Sequence, residues 1–357
     1  MKNNLTNIFK NKKILITGHT GFKGSWLCAW LHSIGADIHG IALEPPSNPS
    51  HYDLLRISKD INDIRMDIKD LDLVKKEITN IKPDFVFHMA AQALVNDAYI
   101  DPIKTWQTNL MGTVNILESL RELKNECNAI IITSDKCYNN QEWIWGYREH
   151  DKLGGPDPYS ASKGAAEIAI NSYYMSYFNK IDSPVKIASA RAGNVIGGGD
   201  WAKDRIVPDC VRKWAKNETV ELRNPNSTRP WQHVLEPLSG YLTLASRLVE
   251  NRDINGESFN FGPDSNADYS VKDLVVEIAR IWGSAKWRDN SEKLSVHESS
   301  LLKLNCDKAM SLLGWKSKLN FIETAEYTAN WYKSFFDNKE DIYNLTINQI
   351  KNYSLIS

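Results

Sequence analysis

Short apolar runs alternate with longer amphipathic segments along most of the chain. Apolar, mostly β-branched runs predict buried strands at residues 12–17, 37–43, 63–68, 84–89, 128–133, 185–191 and 257–261. Apolar side chains at helical spacing predict helices at residues 25–34, 102–123, 158–178, 235–250, 271–282, 304–315 and 321–336. This alternation predicts an α/β fold built on a doubly wound parallel sheet. The segment from about Tyr343 onward gives no prediction.

A glycine turn separates the first predicted strand from the first predicted helix. In this context, closely spaced glycines let the backbone approach a pyrophosphate, and the helix N-terminus offers N–H groups to the phosphates. The turn therefore predicts a dinucleotide site. The residues expected at the cofactor are Gly18, Thr20, Gly21, Phe22, Lys23 and Gly24.

A second glycine-rich stretch, residues 193–199, is too irregular for a strand or helix and predicts a crossing between two units. We expect residues 1–193 and about 234–262 to form a dinucleotide-binding Rossmann domain. Residues about 194–233 and 263–357 are expected to form a smaller, mainly helical substrate-binding domain.

Composition narrows the class of protein. The 357 residues are 42% hydrophobic and 24% charged, as in ordinary globular proteins, and the net charge of −1 offers no field for nucleic acid or anionic membrane. The apolar runs are too short to span a membrane, and the N-terminus lacks the apolar core of a signal peptide. Five scattered cysteines without CxxC spacing indicate neither a metal site nor a disulfide framework, so we expect a reducing cytoplasm.

Tyr159 and Lys163 share one face of a predicted helix, since they are four residues apart. We expect the lysine ammonium to favour the phenolate and so to lower the pKa of Tyr159. Such a phenol can take a proton from a hydroxyl as hydride leaves the same carbon. Taken alone, the pair could equally be an ordinary tyrosine and lysine on the exposed face of a helix, without a catalytic role.

The glycine spacing, GxxGxxG, together with the later YxxxK, resembles the extended short-chain dehydrogenase/reductase superfamily. The resemblance implies that Asp67 and Ile68 lie at the adenine of the cofactor. It also implies that Asn109 holds the active-site backbone, for which an ordinary polar helix residue is the alternative. The alanine-rich turn of the superfamily, beside the cofactor, corresponds to Ala90, Ala91 and Gln92.

The second predicted strand departs from the superfamily pattern. Members that use NAD usually end this strand with an acid that binds the adenosine ribose, whereas the register here places Ala42 there. No arginine follows immediately to accept a 2′-phosphate, so we expect NAD rather than NADP. The role of Glu44 stays open.

Ser134, Asp135 and Lys136 follow the fifth predicted strand. An acid and a base beside the hydroxyl donor imply proton transfers beyond a hydride step, and the nucleotide-sugar 4,6-dehydratases need such transfers. Further segments resemble the branch of this family that acts on CDP-glucose, and the resemblance extends from the glycine turn to about Gly314. These segments are residues 18–27, 133–138, 191–209 and 228–237. The resemblance implies a CDP-sugar substrate and a role in making precursors of dideoxysugars and O-antigen.

The resemblance also implies the roles of the catalytic side chains. Tyr159, assisted by Lys163, takes the C4 hydroxyl proton while hydride passes to NAD and later returns to C6. We expect Asp135 to be the acid toward the C6 oxygen and Lys136 to be the base at C5. Because an ordinary lysine is protonated at neutral pH, the alternative is that Lys136 stays charged and stabilises the enolate.

Arg229 corresponds to the pyrophosphate-binding arginine of the family, and its guanidinium suits phosphate oxygens. Asn194 corresponds to a substrate contact. Arg205 is expected in the same cleft, with a surface arginine as the alternative. Trp231 either walls the site or packs, and Glu298 belongs to the substrate domain. His233 is interpreted as structural.

Other functions remain open at this point. A dehydratase of dTDP- or GDP-sugars would need the same side chains. A nucleotide-sugar 4-epimerase would need Tyr159, Lys163 and NAD but would not use Asp135 and Lys136. A non-catalytic dinucleotide sensor is a further alternative, although such proteins commonly lack the Tyr–Lys pair.

The resemblance implies a homodimer in which two helices of each subunit form a four-helix bundle. Residues 102–123 and 158–178 are the candidates. The second of these helices carries apolar side chains on more than one side, as expected when a helix is buried on more than one side.

Overall fold

The structure, a computed structural model, describes residues 2–264, 269–290 and 301–356. The helices in this part of the chain are α1 Lys2–Phe9, α2 Phe22–Ser33, α3 His51–Leu55, α4 Leu71–Ile81, α5 Val95–Ile100, α6 Pro102–Trp106, α7 Gly112–Arg121, α8 Pro158–Tyr173, α9 Ile206–Trp214, α10 Leu235–Glu250, α11 Val271–Trp282, α12 Asp307–Leu313, α13 Phe321–Phe336 and α14 Ile342–Leu355. The strands are β1 Lys13–Thr17, β2 Asp37–Ala42, β3 Asn62–Arg65, β4 Phe85–His88, β5 Cys127–Ile132, β6 Val185–Ala192, β7 Val195–Ile196, β8 Thr219–Leu222, β9 Thr228–Arg229, β10 Gln232–His233, β11 Ser258–Phe261, β12 Tyr269–Ser270 and β13 Lys286–Asp289.

A seven-stranded sheet in the described ranges has the order β11-β6-β5-β4-β1-β2-β3, and all neighbouring strands run parallel. The predicted doubly wound parallel sheet is therefore confirmed. Chain order reverses between β1 and β4, and in such sheets the crevice at the carboxyl ends of these strands is where ligands bind. The other strands form the two-stranded pairs β10-β7, β12-β9 and β13-β8.

The central strands are buried on both faces, which explains their continuous apolar runs. Successive side chains enter opposite cores. Ile14 and Ile16 of β1 face the core that contains α2 and α10, whereas Leu15 faces the core that contains α4 and α7. The period of two along the strand thus divides the apolar residues between two helix layers.

Several predicted elements differ in length from the structure, for example the third strand, which was predicted at residues 63–68 and is β3. The helix predicted at residues 102–123 consists of α6, a π-helical turn at Gln107–Met111 and α7. The helix predicted at residues 304–315 is the shorter α12. None of the described helices combines the length and the apolar character needed to cross a bilayer.

Six of the described helices were not predicted: α1, α3, α4, α5, α9 and α14. In α1, Phe9 is buried and its ring centre lies 4.8 Å from that of Phe85. The last helix, α14, begins after Asp341, whose side chain accepts a hydrogen bond from the Asn344 N–H, and packs against α2. The Tyr353 hydroxyl donates to Glu236 at 2.8 Å. This helix therefore fastens the C-terminal segment to the first helix of the dinucleotide-binding fold.

The crossing loop after β7 passes between two indole rings. The Gly198 carbonyl accepts a hydrogen bond from Trp26 Nε1 of α2 at 2.8 Å. A Cβ on Gly198 would lie 1.9 Å from the Trp331 ring of α13. Glycine is required here because of this close approach.

Candidate active site

The glycine turn after β1 is built by close backbone contacts. Gly18 has φ +76°, and a Cβ there would lie 2.7 Å from the Ala90 nitrogen. A Cβ on Gly24 would lie 2.1 Å from the Gly18 carbonyl oxygen. Both positions therefore need glycine, so that β1, α2 and the turn after β4 can meet at the crevice.

The N-terminus of α2 suits a diphosphate. Gly21 precedes the helix with φ −76° and ψ 170°, and no side chain caps the first turn. Thr20, which could have done so, donates instead to the Leu43 carbonyl at 3.0 Å. Free N–H groups at the positive end of a helix are a site for phosphate oxygens. The turn from Gly18 to Gly24, with Phe22 and Lys23 in it, thus fits the NAD that its family implies.

A network that the sequence did not suggest holds the turn after β4. Thr17 Oγ1 accepts from the N–H groups of Met89 and Ala90 at 3.1 and 3.2 Å and lies 2.7 Å from His88 Nδ1. His88 Nε2 lies 3.1 Å from Thr113 Oγ1. Burial lowers the pKa of His88 to about 3, so the imidazole is a neutral bridge between two hydroxyls.

Asn109, in the π-helical turn, brings the backbone after β4 close to α8. Its side-chain oxygen accepts from the Gln92 N–H at 2.8 Å, and its amide donates to the Gln92 carbonyl and to Ser162 Oγ, each at 3.0 Å. The side chain is buried and fully used in these bonds. Asn109 therefore positions the predicted turn of Ala90, Ala91 and Gln92, as the resemblance implied.

At the adenosine end, the third strand stops at Arg65, two residues before Asp67. Ile68 is buried and sits against Gly112, where a Cβ would lie 2.5 Å from Ile68 Cδ1. Arg65 donates to the Leu43 carbonyl at 2.9 Å and lies 3.8 Å from Glu44. No arginine follows β2 immediately in sequence, but β3 pairs with β2 and brings Arg65 to this strand end.

Ser134, Asp135 and Tyr159 meet at the carboxyl end of β5. Ser134 Oγ donates to Asp135 Oδ1 at 2.8 Å and accepts from the Lys136 N–H at 3.2 Å. The same hydroxyl acts to lower the pKa of Tyr159, which lies near it. All three side chains are less than 10% exposed. Lys136 is half-buried in the same short 3₁₀ turn.

The expected effect of Lys163 on Tyr159 is wrong. Burial raises the pKa of Tyr159 to about 12, and the Asp135 charge adds to this, while the Ser134 hydrogen bond and Arg205 oppose it. Burial also lowers the pKa of Lys163 to about 8. The negative charge of Glu167 acts in the opposite direction and is the strongest charge acting on Lys163. Tyr159 is therefore a phenol in this structure.

Glu167, one turn beyond Lys163 on α8, binds residues of β6 and the residue after β5 through its buried carboxylate. Its carboxylate accepts from Thr133, from Ser189 at 2.9 Å and from Arg191 at 2.7 Å. Burial alone would raise the pKa of Glu167, but Arg191 and these hydroxyls hold it below its ordinary value. This buried group ties α8 to β5 and β6, and Thr133 directly precedes Ser134.

Lys23 is a further cation of the site. Its Nζ lies 3.3 Å from the Tyr241 hydroxyl. Burial, together with the nearby charges of Lys163 and Arg205, lowers the pKa of Lys23 to about 7, while Asp135 acts in the opposite direction. The first turn of a helix is also an unfavourable place for a cation. Lys23 therefore exchanges its proton near neutral pH.

Asp135 is enclosed on its other side. Its Oδ2 is buried and has no hydrogen-bond partner among the described residues. A Cβ on Gly193 would lie 1.7 Å from that oxygen. Gly193 thus leaves room for the carboxyl group, whose second oxygen lies against the Gly193 backbone.

The predicted substrate residues lie around the crossing loop. Arg205 pairs with Asp200 at 2.8 Å, which raises the pKa of Arg205, and its charge acts on Tyr159, so it faces the catalytic side chains. Asn194, with φ +47°, begins the loop. Arg229 lies on β9, which pairs with β12. Glu298 lies outside the described residues.

Trp231 and His233 pack inside the protein. Trp231 donates to the Tyr269 carbonyl at 3.2 Å and is buried. The His233 ring is fully buried against Trp26 and Tyr327, and burial lowers its pKa to about 3. His233 is accordingly a neutral core residue. Among the described residues, no group of three or more His, Cys, Asp or Glu side chains is placed to hold a metal ion.

Lys23→Met is expected to stabilise the protein more at pH 6.5 than at pH 9.5. The native pKa of about 7 lies below the ordinary 10.5, so between these values the unfolded chain binds more protons and stability rises with pH. Below pH 7 the native state carries the full cost of the buried ammonium, which methionine removes. Thermal unfolding should show a gain of about 2–4 °C at pH 6.5. The exposed Lys104→Met is the control, and an equal gain at both pH values would contradict the prediction.

A family model and a curated relative both match this chain over most of its length, and both are nucleotide-sugar dehydratases. The sequence model described as GDP-mannose 4,6 dehydratase matches residues 15–328. The chain is 45% identical over 333 residues to a protein of Salmonella typhimurium named CDP-glucose 4,6-dehydratase, covering 92% of each chain.

Two solved structures show the same fold at low identity. One is dTDP-glucose 4,6-dehydratase from Bacillus anthracis in complex with NAD, with TM-score 0.72, 19% identity and coverage of 90% of this chain and 97% of that one. The other is UDP-glucose 4-epimerase from Thermotoga maritima with UDP-glucose, with TM-score 0.76, 20% identity and coverage of 90% and 99%. The family match over most of the chain and the crevice that fits NAD lead to one conclusion: the chain belongs to the GDP-mannose 4,6-dehydratase family of the extended short-chain dehydrogenase/reductases.

Proposed function

We propose that the chain dehydrates CDP-glucose to CDP-4-dehydro-6-deoxyglucose and water. The observation that carries this proposal is the meeting of Ser134, Asp135 and Tyr159 at the end of β5, with Lys136 in the same turn. Identity of 45% to the Salmonella typhimurium CDP-glucose 4,6-dehydratase supports the choice of reaction and of nucleotide.

The residues around the crevice would hold the cofactor. NAD, when bound, accepts hydride from C4 of the sugar and returns it to C6. The Gly18–Gly24 turn would bind its diphosphate, and the backbone held by Thr17, His88 and Asn109 would lie beside it. Lys163, buried one turn from Tyr159, would face the cofactor.

Tyr159 takes the C4 hydroxyl proton. Its side chain is buried beside the Ser134 hydroxyl, which acts to lower the pKa of the phenol. The positive charge of Arg205 also favours the developing negative charge on the phenol oxygen.

Asp135 and Lys136 make the reaction a dehydration. Asp135 gives a proton to the C6 hydroxyl as water leaves. Lys136 takes the C5 proton, or else stays charged and stabilises the enolate. A 4-epimerase would have no use for either group, so this pair favours the dehydratase.

The nucleotide sugar would bind along the unit formed by residues 194–233 and 263–357. Arg205 acts on Tyr159 from this unit, Asn194 would contact the substrate as the family resemblance implies, and Arg229 would neutralise the pyrophosphate. Trp231 would support Arg229 through its backbone, since its N–H donates to the Arg229 carbonyl at 2.9 Å. We assign Glu298 to this unit on the family resemblance.

We infer a homodimer whose interface is a four-helix bundle. The outer faces of α6, of the π-helical turn that follows it and of α8 expose large apolar side chains, as expected for helices that a partner covers. These are Ile103, Met111 and Ile168, which are 66%, 48% and 62% exposed. The partner that fits is a second copy of this chain, because the same helices form the bundle in the family.

We also infer that the protein works in the cytoplasm, where reducing conditions keep thiols free. All five cysteines are unpaired, and four are buried. The product would serve as a precursor of dideoxysugars.

Incubation with CDP-, dTDP-, GDP- and UDP-sugars, with and without added NAD, tests the substrate. We expect a 4-keto-6-deoxy product, detected by its absorbance in alkali, with kcat/KM for CDP-glucose about 100-fold or more above the others. A 4-epimer as the main product would show that the chain is an epimerase.

Lys136→Ala tests the base. If Lys136 removes the C5 proton, exchange of the C5 hydrogen with D2O falls about 100-fold or more. Lys136→Arg is the matched variant, because it keeps the charge but cannot serve as a base, and it should be equally impaired. Normal exchange in Lys136→Arg would instead assign Lys136 as a charged stabiliser.

Ile168→Glu tests the dimer. Sedimentation of the parent should give twice the 40.6 kDa chain mass, whereas the variant should sediment as a monomer because it places charge in the apolar interface. Ile322→Glu, at an isoleucine of α13 that is 51% exposed, is the control and should remain dimeric. A monomeric parent would refute the inference.

A further inference from the structure

An arginine stands beside the position at which the usual ribose-binding acid is missing. Arg65 is the last residue of β3 and pairs in register with Ala42, the last residue of β2. Dehydrogenases that use NAD place the acid for the adenosine ribose at the end of β2, whereas an arginine nearby accommodates the 2′-phosphate of NADP. Because residues paired in register lie on the same face of a sheet, the Arg65 side chain shares the face of Ala42.

This face of the sheet is the one that carries the glycine turn. Gly40 and Ala42 are two residues apart on β2 and so share a face, and a Cβ on Gly40 would lie 2.4 Å from the His19 ring. On β3, Asp63 is two residues before Arg65, and its Oδ1 lies 2.9 Å from His19 Nε2. The ends of both strands therefore direct these side chains toward the turn that would bind the cofactor diphosphate.

Three contacts hold the guanidinium of Arg65 at this strand end. It donates to the Leu43 carbonyl at 2.9 Å and to Asp63 Oδ2 at 2.8 Å, and it lies 5.3 Å from the centre of the Tyr52 ring. The Leu43 carbonyl also accepts from Thr20 of the glycine turn at 3.0 Å. One backbone oxygen thus fixes both the arginine and the turn, so their relative position is set before any ligand binds.

Most of the hydrogen-bonding capacity of this guanidinium is unused. An arginine has five N–H donors, and Arg65 uses two of them in its hydrogen bonds to described residues. The side chain is 30% exposed, so a ligand at the strand end can reach it. The planar fork of N–H groups matches the oxygens of a phosphate.

Two carboxylates lie beside Arg65. Asp63 also accepts from the Tyr52 hydroxyl at 2.8 Å. Partial burial alone would raise the pKa of Asp63, but its hydrogen bonds and the charge of Arg65 hold it below its ordinary value. The other carboxylate, that of Glu44, is 80% exposed and lies 3.8 Å from Arg65 Nη1, too far for a hydrogen bond. Such a surface pair is weak, so a phosphate can take the place of Glu44 beside the guanidinium.

We propose that Arg65 binds the phosphate on the adenosine 2′-oxygen of NADP, so that the crevice accepts NADP as well as NAD. A free ribose meets no acid at Ala42, whereas a 2′-phosphate meets a guanidinium that is already in place. Glu44 opposes the phosphate by its charge, so the two cofactors should bind with similar affinity. This inference does not depend on which nucleotide sugar the chain acts on.

The test uses two fragments that differ only in the 2′-phosphate, adenosine 2′,5′-bisphosphate and adenosine 5′-phosphate (AMP). The full chain, dialysed free of nucleotide, is titrated with each fragment by isothermal calorimetry, which needs no turnover. The parent should bind the bisphosphate at least as tightly as AMP. NAD should displace both fragments, because both would occupy the adenosine end of the cofactor site.

Arg65→Met should bind AMP about tenfold or more tightly than the bisphosphate, because it loses charge-assisted hydrogen bonds to the phosphate and leaves two carboxylates beside it. Glu44→Gln removes one of these negative charges and should shift the preference toward the bisphosphate by about two- to fivefold. Arg148→Met is the matched control. Its guanidinium is 73% exposed and pairs with Asp151, away from this strand end, so the variant should keep the parent's ratio of affinities.

Two results would overturn the assignment. One is a parent that binds AMP about tenfold or more tightly than the bisphosphate. The other is an Arg65→Met variant with the parent's ratio, which would make Arg65 a structural residue that only holds the Leu43 carbonyl. If Arg65→Met bound neither fragment, Glu44→Gln would decide, and an unchanged ratio in that variant would also overturn the assignment.

Discussion

The buried carboxylate of Glu167 is the constraint on which the site depends. It binds Arg191 of β6 and Thr133 at the end of β5 while belonging to the same helix as Tyr159 and Lys163. A charge this deep is tolerated only with such partners, and removing one partner of a buried pair typically costs about 3–5 kcal/mol. The distance between the Tyr–Lys face of α8 and the residues after β5 is thus set by one ionic group rather than by loops.

Above this support, the cleft combines several cations with a single enclosed acid. Lys23, Lys163 and Arg205 influence one another across the space next to Asp135. The arrangement suits a ligand that brings its own negative charge, as nucleotide diphosphates do. Without such a ligand, Lys23 relieves the repulsion among the cations by losing its proton. This is consistent with its pKa, which burial and the charges of Lys163 and Arg205 lower.

Sequence reasoning found the parts that depend on local pattern. Strand periodicity, the glycine turn and the pairing of Tyr159 with Lys163 all follow from spacing along the chain. It failed where the outcome depends on three-dimensional neighbours. Arg65 reaches the end of β2 only because β3 pairs there, and the raised pKa of Tyr159 reflects burial that spacing cannot report. The helix α14 did have a signal, an Asp341 cap before apolar residues at helical spacing, and this was missed.

The loop after β7 runs between Trp26 of α2 and Trp331 of α13. Trp201, just beyond this loop, has its ring centre 6.5 Å from that of Trp331. Indole emission depends on local polarity and on quenching by neighbouring groups. The protein therefore contains optical reporters beside the loop, and a change in loop position on ligand binding would change their fluorescence without any added label.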